Sequence, residues 1–333
     1  PYKPLGRLSG LLALALLAAG LAVLVLDLGR PDRLIVAMTT YNFTSIFAWN
    51  VILYTGFMVI VGLYLWTMMA PTLKPYSRHA GTLAFVWRLV LTTGTGSIFG
   101  FLVSRTAFET AVMAPMFIAM SLSYGMAIFV LVLMGAMKAE ERPLGDTLIV
   151  RMGRLIGTVQ AAVLLIVAAY HVTNLYTPGA RAFSEWLLAG GNVYSGLFWV
   201  GQILIGTLAP IALLLHPATG RNRANVALGS VLVIIGGLCQ MAVTIIGSQV
   251  YPRTLFPGYE ASSSFLDGAI APYTLTLPEL ALGLAGGLGI FLVLVTVGMR
   301  VLRFLPADLS DAAVDPHIAA REAREAKAEA EPA

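Results

Sequence analysis

An all-α, polytopic transmembrane bundle of about eight helices is the fold this sequence predicts. Of its 333 residues 58% are hydrophobic and only 11% charged, and the mean hydropathy is +0.83. Soluble domains carry about 25% charged residues. The apolar residues are gathered into runs that reach the roughly 20 residues a bilayer-spanning helix needs. The cations fall on alternate connections, as membrane insertion requires.

The runs are Leu8–Leu26, Ser45–Met69, Gly81–Val103, Ala111–Met137, Leu148–Val172, Val193–Leu215, Ala224–Val250 and Pro278–Leu302. The 33 glycines suit helices that pack closely in lipid. Most connections are short and of turn composition, such as Lys74-Pro75-Tyr76 and Pro217-Ala218-Thr219-Gly220. Tyr251–Leu277 is the exception, a Ser-, Gly- and Pro-rich stretch expected to form a long extramembrane loop. The membrane domain is expected over residues 1–304 and a charged cytoplasmic tail over 305–333, where Ala319–Ala333 alternates Ala with Glu, Arg and Lys. The chain opens on Pro1-Tyr2-Lys3-Pro4, without Met and without a signal peptide, and reads as an N-terminally incomplete or processed piece.

With eight spans the connections alternate sides. One side gathers 15 of the 21 Lys and Arg residues, among them Lys74, Arg78, Lys138, Arg151, Arg154, Arg221 and Arg300. The other holds Arg30, Arg33, Arg105, Arg181 and Arg253, and Arg88 lies inside the third span. Both ends of the chain are therefore expected in the cytoplasm. The net charge of +4 carries no nucleic-acid signal.

Function is sought on the cation-poor side. The first span closes on Leu26-Asp27-Leu28-Gly29-Arg30-Pro31, and Asn42-Phe43-Thr44-Ser45 with Trp49-Asn50 opens the second. Gly94-Thr95-Gly96-Ser97 and Arg105 end the third, and Glu109 and Pro115 precede or begin the fourth. Consecutive helices usually neighbour one another, so these ends are expected to line one cavity. Pro278-Glu279 opens the last span at the same level; Pro and Glu in a first turn also suit a plain helix start.

Ionisable and polar groups at membrane depth are costly and mark candidate sites. Arg88 falls about two turns into the third span, with Thr92 and Thr95 following at helical spacing. It either snorkels to the cytoplasmic surface or belongs to a polar stripe. Gln160, His171 and Asn174 share a face of the fifth span, and Gln240, Thr244 and Ser248 recur at i, i+4 and i+8 on the seventh. The single Cys239 excludes an internal disulfide and a Cys-ligated cluster. No phosphate loop or nucleophile–His–acid set occurs, and neither haem nor iron–sulfur cluster is expected in the chain.

On these motifs the sequence resembles the NrfD/PsrC family of polysulfide-reductase-type membrane subunits. Asp27-Leu28-Gly29-Arg30-Pro31 carries most of the likeness, together with Asn42–Ser45, Trp49 and Gly94–Ser97. Ala114-Pro115-Met116-Phe117-Ile118-Ala119-Met120-Ser121 and the stretch from Tyr273 to Glu279 are similar to the longer branch with the DsrP and HybB subunits. The resemblance implies a helical subunit that binds a quinone, menaquinone or ubiquinone. It also implies electron exchange with a ferredoxin-like iron–sulfur subunit docked on the periplasmic face. The DsrP-type, sulfur-metabolism reading is preferred to the hydrogenase one.

Asp27, Arg30, Glu109 and Glu279 are then candidates for proton exchange, and Trp49, Asn50, Thr95, Ser97, Phe99 and His171 for quinone contacts. The chain departs from the pattern twice: the Gly-rich helix that precedes the Asp-Leu-Gly-Arg-Pro helix in the family is absent, and a family Tyr is matched by Ile98. A secondary transporter or ion-conducting subunit is the competing reading, since polar stripes and Gly-broken helices also suit substrate paths.

Overall fold

A computed structural model of the chain describes residues 5–28, 30–252, 270, 276–302 and 304–314. Within them, eight helices are long and apolar enough to cross a membrane. Those spans are α1 (Gly6–Asp27), α3 (Ile46–Met69), α4 (Ser77–Gly100), α5 (Met113–Ala139), α6 (Asp146–Tyr176), α8 (Val193–Leu215), α9 (Arg223–Val250) and α10 (Leu277–Leu302). Short helices α2 (Leu34–Thr39), α7 (Pro178–Ala189) and α11 (Asp311–Val314) fill connections. The all-α expectation holds, and the predicted spans match to within a few residues at most ends. At α4 the helix starts four residues before the predicted Gly81 and stops at Gly100, because the chain turns at Phe101.

Two helical groups share α5 as a common wall. On one flank α1, α3, α4 and α5 pack in sequence, with α10 laid against α1; on the other, α5, α6, α8 and α9 form a closed bundle. Glycines permit the closest approaches. A Cβ on Gly96 would stand 2.7 Å from Ala114 Cα, so α4 can meet the α5 backbone only without a side chain there. A Cβ on Gly206 would stand 2.2 Å from Gly236 Cα, which fixes the crossing of α8 and α9. Trp87 adds a tie on the α3–α4 side, its Nε1 donating to Leu53 O at 2.9 Å.

Three spans contain π-helical turns, Leu197–Leu208 in α8, Ala242–Gly247 in α9 and Ala281–Gly286 in α10. Nothing in residue periodicity announces them. Such turns shift the register of the side chains that follow and recur at functional sites.

α7 is the element the sequence reading missed. Pro178 starts it, Phe183 and Leu187 face inward, and Arg181 pairs with Glu185 one turn on at 2.7 Å. At 12 residues it is too short to span, so it lies as an amphipathic cover over the cation-poor end of the closed bundle. The cation-rich end is tied by an Arg223–Asp146 bridge at 2.8 Å. Residues 304–314 also pack there: Leu309 is 1% exposed, and Asp311 Oδ1 accepts from Thr147 N at 2.9 Å. The Tyr251–Leu277 loop and the charged end of the tail lie almost wholly outside the described residues.

Candidate functional site

The sequence-predicted residues occupy separate places around α5. Asn50 and Thr95 come together. Asn50, 2% exposed in the first turns of α3, donates from Nδ2 to Ile46 O at 3.0 Å. Thr95 Oγ1 lies 3.4 Å from Asn50 Oδ1, 3.2 Å from Tyr54 Oη and 3.0 Å from Leu91 O. This ladder stands between α3 and α4 in the cation-poor half. Ser97, two residues on, is half-buried. The flanking glycines of Gly94-Thr95-Gly96-Ser97 have packing roles, Gly94 against Asn50 and Leu53, Gly96 against α5.

Trp49 points outward instead. Its ring packs on Phe43 and its Nε1 donates to Phe43 O at 3.0 Å, an arrangement suited to the membrane interface. Arg30 is exposed in the connection before α2, and Glu109 is exposed in the turn before α5. The side chain of Asp27 lies outside the described residues. Glu279 closes a capping box with Thr276, its carboxylate accepting from Thr276 N at 2.9 Å, which fulfils the helix-start reading.

Phe99 turns toward the other flank. It stacks on Phe117 at 5.3 Å and meets Phe108 at 5.2 Å, joining the apolar cluster that holds Tyr170, Phe183 and Phe198. His171 sits in that same region, 8% exposed, edge-on to Tyr170 and Phe198. It borders a cavity of about 10 Å³ with Gln202, Gln240, Thr244 and Ser248, room for about a single water. His171 Nδ1, Asn174 Nδ2, Ser184 Oγ and Gln202 Oε1 are buried there or nearby without a partner among the described residues. π-helical turns of α8 and α9 carry Gln202 and Thr244 to this place.

Deeper in the closed bundle the polar groups satisfy one another. Ser123 donates to Gln160 Oε1, and Gln160 Nε2 donates to Gly206 O at 2.9 Å and Thr207 Oγ1 at 3.2 Å. Tyr124 donates to Gln240, whose Nε2 meets Met120 sulfur at 3.1 Å. Sequence flagged Gln160 and Gln240; their partners on other helices carry no sequence signal. Arg105 closes the cap above by donating to Gln249 O and Tyr251 O, each at 3.0 Å. Burial pushes the Tyr251 phenol up, with the Glu185 carboxylate adding to the shift, so it stays a neutral hydrogen-bonding group.

Arg88 pairs with no acid among the described residues. α4 begins at Ser77, so Arg88 stands roughly 16 Å along its axis, close to mid-span. Its guanidinium lies 5.6 Å from the centre of the Phe57 ring, itself midway along α3. Both border a cavity of about 520 Å³ between α1, α3, α4 and α5. Among the described residues no group of His, Cys, Asp and Glu is placed to hold a metal ion.

Comparison with known proteins agrees with this architecture. Residues 1–253 match the sequence profile described as Polysulphide reductase, NrfD. An Hdr-like menaquinol oxidoreductase integral membrane subunit of Archaeoglobus fulgidus is 26% identical over 308 residues, 92% of this chain and 77% of the relative. A selenate reductase subunit of Mesobacillus selenatarsenatis is 23% identical, over 78% of this chain and 69% of its own length. A putative dimethyl sulfoxide reductase membrane subunit of Halobacterium salinarum is 28% identical, over 90% and 75%. With its eight membrane-spanning helices and a profile match over most of its length, the chain belongs to the NrfD family of multi-pass membrane proteins.

Proposed function

We propose that this chain is the quinone-reactive membrane subunit of an oxidoreductase complex and that its quinone chemistry takes place in the α1–α3–α4–α5 group. The Asn50–Thr95–Tyr54 ladder carries the reading: neutral hydrogen-bonding groups within an apolar span, in the half nearest the Asp27–Arg33 connection. Quinone chemistry needs an apolar slot and a few placed polar groups, and this group of helices carries both. Quinol oxidation releases two electrons and two protons per ring; the electrons pass to an iron–sulfur partner and the protons leave beside it. The reverse direction keeps the same balance.

The partner docks on the cation-poor face, outside a bacterial inner membrane if the cation-rich face is cytoplasmic. Arg30 and Glu109 are exposed there to meet it. The relatives' names support an assembly of this kind, since each is called a membrane subunit or subunit of a reductase or oxidoreductase. Neighbouring genes for a sulfite-reductase-linked set would assign the DsrP-type branch; hydrogenase genes would assign the HybB-type branch.

Thr95→Val tests the ladder, because it keeps shape and removes the hydroxyl. Quinone-coupled turnover of the purified complex is expected to fall about tenfold, roughly 1.4 kcal/mol of barrier, with the complex still fully assembled and with recovery in Thr95→Ser. Wild-type turnover in Thr95→Val would remove the ladder from the chemistry. A wild-type complex that neither retains nor reacts with quinone would remove the functional reading itself.

A further inference from the structure

We infer that the mid-membrane cavity beneath Arg88 is the seat of the quinone head, entered sideways from the lipid between α1 and α5. The inference rests on the quinone reading above and adds the place, some distance below the ladder. Four observations converge on it. The cavity, about 520 Å³, falls in the range of about 300–1,000 Å³ typical of sites for drug-sized ligands. Its walls are mainly apolar, from Leu12 and Leu16 on α1 to Gly125, Met126 and Phe129 on α5.

Its one charged lining residue among those described is a donor, Arg88. Ser9 Oγ donates to Gly6 O and Ser121 Oγ to Ile118 O, so both hydroxyl protons are held by their own helices. The Arg88 guanidinium, with its five N–H donors, is what remains to offer hydrogen bonds. The two hydroxyl oxygens keep lone pairs but carry no charge, so the dominant polar group is a cationic donor. It favours a ligand with acceptor oxygens, and a quinone presents two carbonyls on a flat apolar ring.

Depth decides between acceptors. A phospholipid phosphate lies at the headgroup level, whereas Arg88 and Phe57 both stand near the middle of their spans. A prenylated quinone places its ring within the hydrocarbon. Phe57 meets the guanidinium by cation–π contact, and both side chains border the cavity.

Further polar groups follow toward the cation-poor end. The Tyr54 hydroxyl meets Thr95, which meets Asn50. Thr92, one turn above Arg88, turns its hydroxyl back to Arg88 O at 2.9 Å. The ladder thus continues the polar residues of the same two helices from the level of Arg88 toward the cation-poor end.

The test uses two variants of the assembled complex. Arg88→Gln removes the charge and shortens the donor. Gly125→Leu fills the cavity from α5, where a Cβ would meet no atom within 4 Å. Bound quinone is extracted and quantified, and a photoreactive azido-quinone is cross-linked and mapped by peptide mass spectrometry.

In the wild type the label is expected on α4 and α5 peptides around Arg88 and Gly125. In each variant both label and retained quinone are expected to fall about tenfold, the scale of losing one charged hydrogen bond. Wild-type labelling and quinone content in either assembled variant would overturn the assignment while leaving a quinone-reactive wild type intact. So would recovery of an anionic phospholipid, in place of quinone, that is lost on Arg88→Gln.

Discussion

The two flanks of α5 solve opposite problems with the same apolar alphabet. In the closed bundle the apolar stretches of α5, α6 and α8 are each 39% buried and that of α9 44%. On the open flank α1 has 33%, α3 17%, α4 28% and α10 11%. Lipid tails are as apolar as Leu, so burial alone gives no reason to close a helix pair in a membrane. What closes the α5–α6–α8–α9 group is backbone approach at glycines and internally paired Gln, Ser, Thr and Tyr. The open flank instead carries Arg88 at a cavity between α1, α3, α4 and α5 and the Asn50–Thr95–Tyr54 ladder nearer the cation-poor end. The closed side reads as a scaffold and the open side as the working face.

The strongest way to break this contrast is at the α8–α9 crossing. Gly236→Leu would drive a side chain into the Gly206 backbone, where even a Cβ would stand 2.1 Å from Cα. Overpacking typically costs 1–3 kcal/mol and here has no flexible side chain to yield, so about 3 kcal/mol or more is expected. Thermal denaturation in detergent, followed by size-exclusion chromatography, should show loss of the monodisperse species. The same substitution at Gly125, which faces open space, should leave the melting temperature near wild type. Equal damage at both positions would mean that the flanks do not differ in packing.

A middle-sized effect sharpens the polar side of the comparison. Gln160→Leu removes the hub between Ser123, Gly206 and Thr207 and leaves these groups buried without it. The expected loss is about 1–3 kcal/mol, read as a lower melting temperature with quinone-coupled turnover retained in the folded fraction. Lost turnover at unchanged stability would place Gln160 in the chemistry and contradict the scaffold reading.

How much of this the sequence shows depends on how local the cause is. The eight spans are legible because hydrocarbon thickness imposes a length on each apolar run. The side to which each connection belongs is legible as a cation bias. α7 was overlooked because Pro178–Ala189 is polar on one face and too short to count as a span; Pro178 and the Arg181–Glu185 spacing were its available signals. Asn50 and Thr95 were singled out from sequence, and so was His171, but not that α5 would stand between them. The Tyr124–Gln240 and Ser123–Gln160 pairs join residues 116 and 37 positions apart, and the π-helical turns that aim Gln202 and Thr244 have no compositional mark. Pairings across helices are consequences of the assembled bundle and cannot be read one segment at a time.

The smallest effect concerns the rim of the open flank. Asp27 is the last residue of α1, at the end where the helix dipole disfavours a carboxylate by a few tenths to about 1 kcal/mol. Arg30, three residues on, or Arg33, six on, is the natural counter-charge, and an Asp–Arg pair that only shapes the connection would explain both residues. If the cluster also serves proton exchange at the mouth of the Asn50–Thr95 ladder, charge rather than shape is what counts. Asp27→Asn keeps size and hydrogen-bonding capacity and removes the charge, so it separates the two roles. On the proton-exchange reading, quinone-coupled turnover falls by at least about tenfold, near 1.4 kcal/mol of barrier, in a complex that still assembles. Full turnover in an assembled Asp27→Asn complex would assign the Asp-Leu-Gly-Arg-Pro motif to architecture and confine the chemistry of the open flank to the membrane interior.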